Sequence, residues 1–194
     1  MKKILFVLAV ISSLTSFSQS KVEIIKGGLK NSSQIFSFPK TTSKVLYDRA
    51  ILFVNKNYKS PEDVLKSKIP SQYIKITAIS ENCITYKFKA DYDDITQDFV
   101  DLNYTIEINF KNDKVQINIV DATRKYITYK SKSLIDGSID VINSNENYLI
   151  GNKEYFNADG IVKPEDTWAK ESFEKCINDL IDSLVNSLKK SNNF

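Results

Sequence analysis

The chain has 194 residues, 42% hydrophobic and 26% charged, with a formal net charge of +3, two cysteines and no histidine. The lack of histidine excludes Ser-His and Cys-His nucleophilic catalysis and histidine-ligated metals. A charge this close to neutral gives no long-range case for nucleic acid or an anionic membrane as partner.

Residues 1–18 read as a secretory signal. Lys2 and Lys3 make a basic start, residues 4–14 are apolar, and Ser16 and Ser18 place small side chains where a signal peptidase reads. Cleavage is expected between Ser18 and Gln19. The apolar run is shorter than the about 20 residues that span a bilayer, and no later stretch is apolar enough to do so. No cysteine adjoins the cleavage point, so no lipid anchor is expected. The mature chain is thus predicted to be exported, periplasmic or secreted, and loss of Lys2 and Lys3 leaves it near +1.

Residues 19–33 form a lead-in broken by Gly27-Gly28 and Asn31-Ser32-Ser33, with a possible edge strand at 22–25. A single domain is expected from 34 to 194. Residues 34–38 are a short strand candidate ended by Pro39, which cannot donate to a ladder. Thr42 or Ser43 then caps a helix to about Tyr58, with Leu46, Ala50, Phe53 and Val54 at helical spacing. Ser60-Pro61-Glu62-Asp63 fits either a helix start or the loop before a short strand at 64–69.

Two alternating strands are expected at 73–79 and 83–90, separated by a turn at Ser80-Glu81-Asn82. In the second, Cys83 is out of phase with Ile84, Tyr86 and Phe88, so it is expected to leave the core face. Cys176 falls on the apolar face of the last helix. The two are therefore expected to be unpaired, although the compartment permits a disulfide and a bulge near Cys83 would reverse the phase. The clearest signal is a hairpin over 98–121. Tyr104, Ile106, Ile108 and Phe110 alternate with polar residues, the chain turns at Lys111-Asn112-Asp113-Lys114, and Val115, Ile117 and Ile119 alternate again.

Together these strands predict an α+β fold. Its antiparallel sheet of about five strands is covered on one face by two helices, one N-terminal and one C-terminal, and is wet on the other. The open face would carry Lys75, Thr77, Thr85, Lys87, Lys89, Thr105, Glu107, Asn109, Gln116 and Asn118. A further strand is expected near 124–129. Residues 131–163 read as a long ordered excursion with one or two short strands. The last helix opens at Pro164, Glu165 and Asp166. Its stripe is Phe173, Ile177, Leu180, Leu184 and Leu188, with Trp168 as a candidate anchor one turn earlier.

The helix entry Thr42-Ser43-Lys44-Val45-Leu46-Tyr47-Asp48-Arg49-Ala50 resembles that of a secreted domain-of-unknown-function family with a TATA-binding-protein-like (TBP-like) fold. In that family a Ser-Lys pair precedes Leu-Tyr and then Arg-Ala. The hairpin turn Lys111-Asn112-Asp113-Lys114 is similar to the family's Lys-Asp-Gly-Lys, but Val115-Gln116 replaces the aromatic-Arg that often follows. The resemblance covers 34–121 and, more loosely, the final helix. It implies the α+β fold and an exported location, and it carries no activity and no DNA binding.

Three places could carry chemistry. Asp91, Asp93, Asp94, Asp98 and Asp101 could ligate a calcium ion or serve a carboxylate enzyme. Yet the turn glycine and terminal Glu of a calcium loop are missing, and a solvated acidic loop is the plainer reading. The open face could be a nucleic-acid platform, but Glu107 and several amides offset Lys75, Lys87 and Lys89, which favours a solvated surface. Tyr148, Tyr155 and Phe156 of the excursion could line a pocket or pin the segment to the sheet, and the pin is favoured. The sequence therefore assigns no catalytic, cofactor-binding or metal-ligating residue. It points to an exported, non-catalytic binding or interaction module of the bacterial cell envelope, with a protein or small-ligand partner there. The alternative is an ion-dependent or carboxylate-based enzyme built on Asp91 to Asp101.

Overall fold

The computed structural model describes residues 20–89, 95–125, 129–132, 139–142, 147–149 and 155–190, with side chains at 20–85, 99–123 and 155–190. Strands β1 (Glu23–Ile25) and β2 (Gly28–Lys30) form a small hairpin, turned at Gly27 with φ 97°. Strand β3 (Ser33–Ser37) leads to helix α1 (Ser43–Asn57), followed by the short helix α2 (Pro61–Val64) and β4 (Leu65–Ile69). The Ser60-Pro61 segment thus serves both alternatives, as a helical turn that delivers a strand. Two long strands, β5 (Tyr73–Lys89) and β6 (Ile95–Lys111), precede β7 (Lys114–Lys125). The excursion holds β8 (Tyr129–Lys132), β9 (Ile139–Ile142) and β10 (Asn147–Leu149), and the chain closes with α3 (Thr167–Lys189).

The main sheet is antiparallel, in the order β10-β7-β6-β5-β4, and β3 also pairs with β7, so it has six strands. Its centre is the hairpin read from alternation. Lys111 faces Lys114 across the turn, and Asp113 takes the positive φ of 64° that the turn needs. Tyr104, Ile106, Ile108, Phe110, Val115, Ile117 and Ile119 are all buried. Helices α1 and α3 cover that face. Thr42 caps α1 by accepting the Val45 N–H at 3.4 Å, and Arg49 donates to the Leu188 carbonyl of α3 at 2.7 Å. That contact places a cation at a helix C-terminus, where the unpaired carbonyls carry partial negative charge. Along α3 the buried stripe is Ala169, Phe173, Ile177, Ile181, Leu184, Val185 and Leu188. Each large apolar member contributes about 1.5–3 kcal/mol by leaving water.

Several expectations change. The turn at 80–82 is instead a bulge within one continuous strand. Ser80 pairs with Leu102 and Ile84 with Val100, so Glu81, Asn82 and Cys83 together face Asp101. Asn82 takes φ 53°, and its N–H donates to the Asp101 carboxylate at 2.8 Å. Inside that bulge Cys83 turns to the helix-covered face, packs against the core and is joined to Cys176 of α3 by a disulfide with Cα atoms 5.9 Å apart. The expectation of unpaired cysteines fails because strand phase says nothing about a bulged residue. Trp168 is half-exposed, and Ala169 beside it sinks into the core. The lead-in packs on α3: the Asn178 side chain accepts the Val22 N–H at 2.9 Å and donates to its carbonyl at 3.0 Å, while Glu174 accepts the Ile24 N–H at 2.6 Å. A helix thereby supplies the hydrogen bonds that a neighbouring strand would otherwise give to β1. No described helix is long and apolar enough to cross a membrane.

Candidate functional site

The three places singled out by sequence fare differently. Asp91, Asp93 and Asp94 lie outside the described residues. Asp98 sits within β6, opposite Tyr86. Asp101 is buried, and its carboxylate holds the β5 bulge through Asn82. Among the described residues no group of three or more acidic, cysteine or histidine side chains could hold a metal.

On the open face the charges and hydroxyls answer one another. Lys75 pairs with Glu107 at 3.2 Å, Thr77 with Thr105 at 3.0 Å, and Ser33 links Asn118 at 2.7 Å to Gln116 at 3.1 Å. The side chains of Lys87 and Lys89 lie outside the described residues. In the excursion Tyr155 and Phe156 are buried in the common core, as pins would be. Tyr148 is placed only as a position on β10, beside Arg124 of β7.

A different cluster comes together where α1 ends. Tyr58 caps the helix, its N–H bonded to the Val54 carbonyl at 3.1 Å and its ring set edge-on to Phe53 with centroids 6.4 Å apart. From there its hydroxyl reaches the Tyr104 hydroxyl on the core face of β6, at 2.7 Å. The pair lies in a groove of about 770 Å³ between the β5 edge, the end of α1, α2 and α3. Phe53, Val64 and Leu180 supply apolar wall, and Lys59, Asp63 and Glu81 stand at its lip. Two hydroxyls carry two protons, and their mutual contact uses one. The second remains a donor with no described acceptor.

Burial raises the pKa of Tyr58, and the Tyr104 bond only partly offsets it. Burial pushes Tyr104 well above the ordinary phenol range, and Tyr58 beside it adds to the rise. Both phenols therefore stay protonated at any physiological pH. Sequence reasoning passed over the pair because its members are 46 positions apart. The available signal was Tyr104 itself, a residue on a core-facing strand position whose hydroxyl needs a partner when buried. A second groove, of about 500 Å³, shares Ser80 and Leu180 with the first and is lined by the Cys83–Cys176 disulfide.

No protein-family model matches the sequence, and no curated protein matches it. Solved structures with a similar fold include a TBP-like protein from Parabacteroides distasonis. It is 12% identical, with a TM-score of 0.50, covering 86% of this chain and 99% of the other. A DUF4468 family protein from Bacteroides ovatus is 11% identical, with a TM-score of 0.52, covering 89% of this chain and 93% of the other. The α+β, TBP-like architecture implied by the helix entry and the hairpin is thus the fold of this chain.

Proposed function

We propose that this TBP-like chain is an exported, non-catalytic binding module of the bacterial cell envelope, with the Tyr58–Tyr104 groove as its site. The observation that carries the reading is the hydroxyl pair in that groove, with a donor proton left over beside an apolar wall. Phenols held protonated by burial suit hydrogen bonding to a ligand and not proton abstraction, which needs a pKa near the working pH. The disulfide supports export, because such bonds persist in oxidising compartments, and it accords with the secretory signal read at residues 1–18. Asp101 is buried and accepts the Asn82 N–H, which supports a structural role for this carboxylate over the ion-dependent alternative.

Native mass spectrometry of the chain purified gently from its producing cells tests both parts. The expected species starts at Gln19 and carries an added mass that Tyr104→Phe loses. A chain retaining residues 1–18 would count against export. Wild type and variant each found at its own bare mass would count against a tightly held ligand at this groove.

A further inference from the structure

We infer that the groove takes an extended peptide, added as a strand along the open edge of β5 beside Ile79. This deepens the binding reading above and rests on it. Backbone directions follow from one hydrogen bond, Phe110 N–H to the Gln72 carbonyl at 2.8 Å. It marks Gln72 and Phe110 as a hydrogen-bonded pair. In an antiparallel ladder such pairs alternate with non-bonded ones, and the register holds from Tyr73–Asn109 to Ser80–Leu102. Residues 74, 76, 78 and 80 therefore turn their N–H and C=O groups toward β6, and residues 73, 75, 77 and 79 turn theirs away. Strand β4 answers that outer edge only as far as Ile76. The N–H and C=O of Ile79 project past the end of β4 into the wall of the Tyr58–Tyr104 groove.

The neighbouring open backbone groups show what is missing. Thr85 N–H is taken by the Ser172 hydroxyl at 2.8 Å, Asn82 N–H by Asp101, and those of Val22 and Ile24 by Asn178 and Glu174. No described group answers Ile79 in this way. A donor and an acceptor on one strand edge are matched by the N–H and C=O of a second strand, which is how sheet edges bind peptides. The phenolic proton left over from Tyr58 and Tyr104 adds a donor for a further peptide carbonyl. A peptide residue paired with Ile79 shares its face and lies on the solvent side of the sheet. The residues flanking it point inward, toward Tyr104 and Leu180, and the apolar wall there calls for apolar side chains.

The test uses the purified mature chain and heptapeptides selected on it from a random-sequence display library, with affinities read by fluorescence anisotropy. Binders are expected to carry apolar residues two apart. Backbone N-methylation of a binder should weaken it at the residue that pairs with Ile79 and leave the two residues beside it unaffected, because their N–H groups face away from β5. Ile79→Pro removes the outward N–H and leaves the β5–β6 ladder intact. It should weaken binding about tenfold, the loss of one backbone hydrogen bond, while Lys44→Ala on α1 leaves it unchanged. The N-methyl scan is run on unaltered protein, so it decides even if Ile79→Pro folds poorly. Binders indifferent to N-methylation at every position would overturn strand addition. A library that yields no binder, alongside a small molecule found by native mass spectrometry, would overturn the peptide and leave the binding module standing.

Discussion

Replacing both Cys83 and Cys176 by alanine should lower stability by about 2–4 kcal/mol. The bond closes a loop with a sequence separation of 93 residues. The entropy that such a closure removes from the unfolded chain has an upper value near 4.7 kcal/mol at 25 °C, and native disulfides typically realise 2–4 of it. For a chain of this length each kcal/mol moves the midpoint by about 2–4 °C, so the variant should melt about 5–15 °C below the oxidised wild type. Circular dichroism melts with and without a phosphine reductant measure this directly. Reduced wild type and the double variant should melt together, because each lacks the same link. Wild-type melts that coincide with and without reductant, or two free thiols titrated in the native oxidised protein, would refute the reasoning.

Three further outcomes follow from particular contacts. Asn178→Ala should cost about 1–3 kcal/mol by leaving the Val22 N–H and C=O unpaired, and hydrogen exchange should show lost protection at 22–30 while β6 keeps its own. Asp101→Ala should destabilise by a similar amount, as the bulge amide of Asn82 loses its acceptor. If Asp101 serves the bulge and not an ion, wild-type melting should not change in EDTA. Tyr58 and Tyr104 have folded pKa values above the unfolded value near 10. Their stabilisation is therefore complete below pH 10 and lost as pH rises above it. Ultraviolet titration should show two phenols resisting ionisation until the protein unfolds, and Tyr104→Phe should remove part of that alkaline sensitivity.

Much of the fold was readable because β6, β7, α1 and α3 repeat one period for long enough to be recognised. Tyr104 to Phe110 alternates without interruption, and Thr42 caps the helix that its hydroxyl predicted. The reading failed where periods break. At 81–83 three residues face one, so Cys83 could not be assigned a direction from its neighbours. On β7 Val120 is the extra residue opposite Thr105 and Ile106, and it stands 53% exposed although its chemistry suggests a core position. The candidate site stayed hidden for a different reason. The Tyr58–Tyr104 contact and the open amide of Ile79 depend on where separate elements end, at the C-terminus of α1 and the start of β4. Periodicity predicts directions within an element and is silent on where one stops beside another.

The Cys83–Cys176 bond also determines how the molecule responds to force. A pull applied at the two ends passes from residue 83 to residue 176 through the sulfur bridge, so the segment between them bears no tension. At about 3.4 Å per extended residue, a separation of 93 positions withholds roughly 300 Å of contour length. The end of β5, all of β6 and β7, the whole excursion and the first turns of α3 lie in that sheltered segment. Strained between two attachments, the chain would surrender its N-terminal hairpin, α1 and the last turns of α3 while β6 and β7 remained slack.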